Sequence, residues 1–321
     1  MKYQLIGATK IKVSRLSLGT WSLGGATKKN TSYGYISKKR SLNILDNAFD
    51  MGINLFDTSP TYGDSQKLIG QCFKRNREKI IICSKIGVEK NTFKKDFSKK
   101  TLDNQLKHIL KSINSDYIDI LYLYNPEINN NEYLKGYEFL YSLREKGIIR
   151  NFGISLKSPS DLFFFEKKIS IPLIQCNFNL LDLRLLETNL LSIIKLKNIG
   201  VIARTILNFG FFTETFIKKK RIFKKYDHRK LWKKDQINKW KDGVHLIKKC
   251  SKDKIENIAI KFVNSFNFIS SSLIGVQNIQ ELKKNLDENN LKKLNNHQLS
   301  QIKDINKKNY FISGIRPNNL I

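Results

Sequence analysis

The stretch "GINLFDTSPTYGDSQKLIG", residues 52–70, holds a helix stop, a strand, a turn and a helix start in one short run. Gly52 closes the helical pattern "SKKRSLNILDNAFDMG" (37–52). Ile53, Leu55 and Phe56 read as a buried strand over 53–57 that ends on Asp57. "SPTYG" is a small-residue turn, and "SQKLIGQCFKR" (65–75) has helical spacing. A strand fed by one helix and left by another is the unit of a parallel sheet. A carboxylate at the strand end and a phenol at Tyr62 read as site chemistry rather than core.

The same unit recurs in both directions. Strands are expected at "RLSLGT" (15–20), "KIIICSKIG" (79–87), "YIDILYLY" (117–124), "RNFGIS" (150–155), "LIQCNF" (173–178), "VIART" (201–205) and "SSSLIG" (270–275). Helices are expected over 100–114, 132–147, 159–168, 184–200, 253–266 and 278–287. Eight strands, each followed by a helix in roughly 300 residues, predict a (β/α)8 TIM barrel rather than an open doubly wound sheet. No GxGxxG stands at a strand–helix turn, which argues against the dinucleotide-binding open sheet. No Pro/Gly/Ser-rich linker interrupts the pattern, so one domain is expected over 1–321. Residues 2–11 are expected to form a short β-hairpin closing the barrel bottom.

Of 321 residues, 40% are apolar and 20 are Phe, enough to fill a large core. No run of about 18 apolar residues exists, so no membrane span is expected, and the N-terminus lacks a signal-peptide core. Cys72, Cys83, Cys176 and Cys250 have no metal-type spacing. They read as reduced thiols, which places the chain in the cytoplasm. The net charge of +30 would suit a nucleic acid or an acidic membrane. Lys, Asn and Ile are all abundant, however, and the lysines are spread along the whole chain, as AT-rich coding produces. Nucleic acid is therefore not expected as a partner. The densest basic cluster, 216–236, reads as a loop able to help hold a phosphate-bearing ligand.

Barrels of this kind carry their active sites at the C-terminal strand ends. Those ends read Gly19-Thr20-Trp21, Asp57, Lys85, Tyr124, Ser155, Gln175, Arg204 and Gly275. Together with "KVSRLSLGTWSLGG" (12–25), the stretch 52–70, "DYIDILYLYNPE" (116–127), "GIIRNFGIS" (147–155), "GVIARTILNFGFF" (200–212) and "SSLIGVQNIQELKKNLD" (271–287), they resemble the aldo-keto reductase family over nearly the whole chain. The resemblance implies hydride transfer between a nicotinamide and an aldehyde, ketone or sugar carbonyl. It makes Tyr62 the general acid or base. A phenol with a pKa of about 10 needs a nearby ammonium to work near neutrality. Lys85 is that cation, and Asp57 holds it.

The chain departs from the family at strand four, where the usual His is Tyr124. None of His108, His228, His245 and His297 falls at a predicted strand end. A phenol donates a hydrogen bond as imidazole does, from a longer and less basic arm. The same departure suits a second reading, a cofactor-binding, redox-sensing regulatory subunit with poor turnover. A third, an RNA-binding barrel, rests on charge alone. For the cofactor, the resemblance assigns Ser155 and Gln175 to the nicotinamide carboxamide and places Leu156 where the family often has Asn. It puts Arg204 against the ring, in the place of an aromatic, and groups Gly19, Thr20, Trp21, Thr205 and Leu207 with the cofactor. Gly275, Gln277, Glu281 and Asn285 fall to the adenosine phosphates, at a helix start whose amides favour anions. Glu281 would repel a 2′-phosphate, although Lys283 and Lys284 are close. NADP is expected on family habit, with NAD possible. The substrate is a small carbonyl or alcohol, and the oligomeric state is left open. Specificity is expected from the loops 22–37 and 208–236, whose Tyr33, Tyr35, Phe209, Phe211 and Phe212 either line an apolar wall or pack on the barrel.

Overall fold

The computed structural model of the chain describes residues 1–25, 32–89, 92–218, 223 and 225–312. It opens with β1 (Tyr3–Leu5) and β2 (Lys12–Ser14), which pair antiparallel. There follow β3 (Leu16–Gly19), α1 (Lys38–Asp50), β4 (Leu55–Asp57), α2 (Ser65–Cys72), β5 (Ile81–Ile86), α3 (Lys99–Ile113) and β6 (Ile118–Tyr124). The chain continues through α4 (Tyr133–Glu145), β7 (Ile149–Ser155), α5 (Leu162–Phe165), β8 (Leu173–Asn177), α6 (Thr188–Leu196) and β9 (Gly200–Arg204). It ends with α7 (Glu214–Lys218), α8 (Lys234–Lys248), α9 (Ile255–Asn264), β10 (Ser271–Ile274), α10 (Ile279–Asn285) and α11 (Asn296–Lys308). Eight parallel strands, β3 to β10, close into a barrel in which β10 pairs with both β3 and β9. The expected (β/α)8 fold is the observed one.

Two layers of apolar side chains hold it. The outer layer packs helix faces onto strands: Leu102, Leu106, Ile109 and Ile113 of α3, for example, recur at the three- and four-residue spacing of one buried helix stripe. The inner layer fills the barrel with Leu55, Ile81, Cys83, Ile120, Tyr122, Leu173, Ile202 and Leu273. Ile6, Ile11 and Val13 join this inner layer from the hairpin. The hairpin sits at the N-terminal strand ends: Ala8 N–H donates to Asn198 O at 3.0 Å, and Ser14 N–H to Asn54 Oδ1 at 2.8 Å. At Gly7 a Cβ would come within 2.3 Å of Gly200 N, so only glycine lets the hairpin approach β9 this closely.

Several expectations need correction. The hairpin does not end at residue 11; its second strand is Lys12–Ser14. The helix expected over 159–168 is a 3₁₀ turn plus the single α-turn Leu162–Phe165, because Pro159 starts it and "KKIS" offers no further apolar stripe. The helix expected over 184–200 is Thr188–Leu196, preceded by a 3₁₀ turn, and Gly200 already belongs to β9. Three helices among the described residues were not anticipated, α7, α8 and α11. α8 consumes the end of the stretch expected to be a basic loop and buries Trp240, Val244 and Ile247. Residues 219–222 and 224 of that stretch, and 26–31 of the first specificity loop, lie outside the described residues. Among the described residues, no helix is long and apolar enough to cross a membrane.

Candidate active site

The site follows from strand parity. Side chains alternate between the two faces of a strand, so a residue two positions beyond an inward apolar residue also points inward. Leu55 leads to Asp57, Cys83 to Lys85, Tyr122 to Tyr124, Leu173 to Gln175, Ile202 to Arg204, and Leu273 to Gly275. The register agrees: Asp57 stands opposite Cys83, and Lys85 opposite Tyr122. The apolar barrel filling thus gives way, one layer higher, to charged and polar groups.

Lys85 and Asp57 form a buried ion pair with side chains 1% and 3% exposed. The Lys85 ammonium donates to Asp57 Oδ1 and Oδ2, each at 2.8 Å, and to Thr58 O at 2.9 Å. Gln175 Nε2 donates to Asp57 Oδ1 at 2.6 Å. Lys85 Nζ lies 4.9 Å from the centroid of the Tyr62 ring. Tyr62 is carried by the turn after β4, where Tyr62 N–H donates to Ser59 O at 3.0 Å and the Ser59 and Thr61 hydroxyls meet at 2.9 Å. Gly63, at φ +57°, allows this turn to press against the loop after β3: a Cβ on Gly63 would stand 2.2 Å from Gly24 O. A Cβ on Gly24 would stand 1.7 Å from Tyr62 O. The "TYG" and "GG" pairs therefore hold the phenol in place by backbone contact.

Tyr124 is 3% exposed and lines the same cavity as Asp57 and Tyr62. Burial pushes its phenol above the usual range, with Tyr62 adding to the rise and Lys85, Arg204 and a hydrogen bond with Thr61 opposing it. The phenol thus stays protonated. Lys95 Nζ sits 4.4 Å from the Tyr124 ring centroid. Ser155 is fully buried and its hydroxyl donates to Asn125 Oδ1 at 3.2 Å. Gln175 Oε1 is buried with no partner. Arg204 donates through one terminal nitrogen to Leu156 O at 2.6 Å, so Leu156 contributes its carbonyl where its side chain has nothing polar to offer.

The cavity measures about 300 Å³. Of the residues singled out in the sequence, Gly19, Trp21, Asp57, Tyr62, Tyr124, Gln175, Arg204, Thr205, Leu207, Gly275, Gln277, Glu281 and Asn285 line it. Lys85 and Ser155 lie behind the lining, and Thr20 is turned away: its hydroxyl donates to Asp57 O at 2.7 Å and meets the Ser65 hydroxyl at 3.0 Å. Among the loop aromatics, Tyr33 and Phe209 join the wall, whereas Phe211 and Phe212 are core residues and Tyr35 is 80% exposed. Trp21 meets Tyr33 edge-on at 5.2 Å and lies 6.2 Å from both Tyr62 and Phe209.

At the far end, the helix-start amides are occupied from within. Glu281 Oε2 accepts from Gln277 N–H at 2.9 Å, and Asn278 Oδ1 accepts from Glu281 N–H at 2.8 Å. Glu256, 4% exposed, also lines this end and is paired with Lys284.

Sequence reasoning missed His228, Arg229, Glu256 and Lys95. His228 is fully buried, 4.6 Å from the Trp21 ring and 4.7 Å from Tyr33. Neither ring nitrogen has a partner, and burial lowers its pKa to about 3. Arg229 is held by both oxygens of Asp227 and lies 5.0 Å over the Tyr33 ring. No local signal marks these groups, because each comes from a loop or helix distant in sequence.

A family model described as "Aldo/keto reductase family" matches residues 15–307. A Bacillus subtilis protein named "Uncharacterized oxidoreductase YqkF" is 24% identical over 97% of this chain and 98% of its own length. An Arabidopsis thaliana L-galactose dehydrogenase is 26% identical over 89% and 87%. The holo form of an aldo-keto reductase from Bacillus halodurans superposes with a TM-score of 0.76 at 20% identity, covering 95% of this chain and 96% of that one.

Proposed function

The chain belongs to the aldo/keto reductase family of NAD(P)-linked oxidoreductases, and on that premise we propose that it interconverts an aldehyde, ketone or sugar carbonyl and its alcohol, with Tyr62 as general acid in reduction and general base in oxidation. The observation that carries the reading is the Lys85 ammonium, held by both oxygens of Asp57 and standing 4.9 Å from the Tyr62 ring.

The residues present fit a nicotinamide cofactor. Gln175 Oε1 is a buried acceptor with no partner at the cavity wall, as a carboxamide N–H needs. Arg204 offers a planar guanidinium able to stack. Gly275 leaves open space, since a Cβ there would meet only Ser22 Oγ at 3.9 Å. The cofactor, when bound, supplies or accepts the hydride. The chain supplies the proton. Tyr62 gives it to the developing alkoxide, and the fixed positive charge of Lys85 stabilises the phenolate left behind. Tyr124, kept protonated by burial, donates a hydrogen bond to the same oxygen and draws density from the carbonyl. Trp21, Tyr33 and Phe209 exclude water from this end of the cavity.

Family habit points to NADPH, but the charges of this pocket support NADH. Glu281 and Glu256 place two carboxylates at the far end, and Lys284 is spent on Glu256. A carboxylate suits a ribose 2′-hydroxyl and opposes a 2′-phosphate. The proposed setting is the cytoplasm, where the four free cysteines stay reduced. The regulatory-subunit reading is the less favoured, because a buried cation beside Tyr62 serves turnover rather than binding. Oxidation of NADH and NADPH against a panel of aldehydes, ketones and sugars tests the proposal. Tight cofactor binding with no turnover on any carbonyl would refute it.

A further inference from the structure

A second, larger cavity of about 1050 Å³ opens beside the first, between the loops that follow β5, β6, β7, β8 and β9. The two share Phe93, Thr205 and Phe209 as a common wall. Four polar atoms on the second cavity's lining are buried with no hydrogen-bond partner: Lys95 Nζ, Asn177 Oδ1, Asn208 Nδ2 and Trp232 Nε1. Asn208 is 4% exposed and Trp232 8%. Buried polar groups in folded proteins are nearly always paired, so this concentration in one cavity marks groups awaiting a ligand. Three of them are donors and one is an acceptor.

The charges around Lys95 sharpen the chemistry. Asp182 is engaged by Arg184 through both oxygens, at 2.8 and 2.7 Å. Asp161 accepts from Ser158 N–H at 2.9 Å. Glu127 is exposed, and Lys94 and Lys157 add positive charge to the same lining. The Lys95 ammonium is thus a buried cation of this lining with no hydrogen-bond partner, offset through space by Glu127 alone among the described carboxylates that act on it. Its desolvation, aided by Lys157 and opposed by Glu127, lowers its pKa to about 8, so it remains mostly charged at neutral pH. It also lies 4.4 Å from the Tyr124 ring, between the two cavities. A carbonyl held by Tyr62 and Tyr124 would extend its tail past this ammonium.

We propose that the second cavity holds the tail of the substrate, a hydroxylated chain ending in an oxyanion, phosphate ester or carboxylate, with Lys95 as its ion-pair partner and Asn177, Asn208 and Trp232 as partners for its hydroxyls. The proposal rests on the carbonyl chemistry assigned to Tyr62. Matched substrate pairs test it: glyceraldehyde 3-phosphate against glyceraldehyde for the phosphate, and succinic semialdehyde against butanal for the carboxylate.

In at least one pair, kcat/KM for the anionic member should exceed that of its neutral counterpart by about tenfold or more. Lys95→Met should reduce that ratio at least fivefold, mainly through KM, and Lys95→Arg should retain most of it. Unchanged cofactor binding in both variants would certify the fold. A parental ratio at or below one in both pairs, or a ratio that Lys95→Met leaves unmoved, overturns the proposal. If no carbonyl is reduced at all, the assigned chemistry fails rather than the cavity. The cavity is then read by titrating the NADH-loaded chain with glycerol 3-phosphate and following tryptophan fluorescence. A saturable change that Lys95→Met abolishes supports the anion site, and no change in the parent overturns it.

Discussion

The Lys85 ammonium lies 2.8 Å from both carboxylate oxygens of Asp57. With Thr58 O at 2.9 Å as a third acceptor, every N–H of the ammonium is engaged. On the proposed mechanism, Lys85 would act on Tyr62 through its charge. A buried pair of this kind is a poor source of stability, since desolvation offsets much of the attraction. The proposed mechanism accounts for its place at the barrel mouth by the charge it would set beside the neighbouring phenol.

On that reading, Tyr62→Phe should leave the fold and the affinity for cofactor nearly intact and lower turnover by about 100-fold or more, the scale of general acid catalysis. The phenyl ring keeps the contact with Trp21, so only the proton is lost. Steady-state kinetics beside a cofactor titration separate the two effects. Carbonyl reduction by the mutant at the parental rate would remove Tyr62 from the mechanism.

Glu281 governs a second outcome. Its carboxylate closes the turn at Gln277 and faces the far end of the cavity beside Glu256. Glu281→Arg should shift the NADPH/NADH affinity ratio toward NADPH by about 1–3 kcal/mol, the worth of a hydrogen bond to a charged group. Titration of both cofactors against parent and mutant gives the ratio directly. An unmoved ratio would mean that residue 281 does not face the ribose 2′ position.

His228 carries a pH dependence whose sign is fixed by its burial. With a folded pKa of about 3 against 6.5 unfolded, the neutral ring stabilises the fold above pH 6.5, and that contribution is lost as pH falls toward 3. The unfolded chain binds one more proton in that window, a slope of about 1.4 kcal/mol per pH unit. Replacing it by Phe removes two unpartnered nitrogens from a box of Trp21, Tyr33 and Phe209. His228→Phe should be at least as stable as the parent at pH 7 and lose less stability between pH 6 and 4. Urea unfolding at both pH values decides it, and parallel pH curves would place His228 in contact with solvent.

Legibility in the sequence followed locality. The β/α units were readable because, the unit after β9 apart, each strand and its helix lie within about 30 residues and alternate in period. Asp57, Lys85 and Gln175 were readable because each stands at or near the C-terminal end of a predicted strand, inside a stretch that resembles the family. α8 was not, because "KWKDGVHLIKK" hides Trp240, Val244 and Ile247 among lysines and an Asp-Gly pair that imitates a turn. His228 and Lys95 were not, because their surroundings are assembled from Trp21 and Tyr124, more than 200 and nearly 30 residues away in the chain. The role of Glu281 was half legible: its charge was plain, but not that Glu256 would take up Lys284.

Tyr124 is the departure on which the chemistry turns. It does not fold away under the loop 125–131; it lines the cavity with Tyr62, and Thr61 bonds its hydroxyl. Since burial keeps that phenol protonated, its proton is available for donation at every working pH, whereas an imidazole has an ordinary pKa near 6.5 that burial would lower. If the hydroxyl orients the carbonyl, Tyr124→Phe should cost about 1–2 kcal/mol in kcat/KM, because one hydrogen bond made in the transition state is lost. Tyr124→His should keep or raise activity and add a pH dependence on the acid side of about 6.5 that the parent lacks, because burial and the nearby cations Lys85 and Arg204 lower a histidine pKa. The pair of mutants discriminates. Should Tyr124→Phe prove silent while Tyr124→His gains greatly, the tyrosine holds the place of a missing donor, and the chain binds its cofactor better than it turns over substrate. A loss in Tyr124→Phe confined to KM would instead make the hydroxyl a substrate anchor that does nothing more in the transition state.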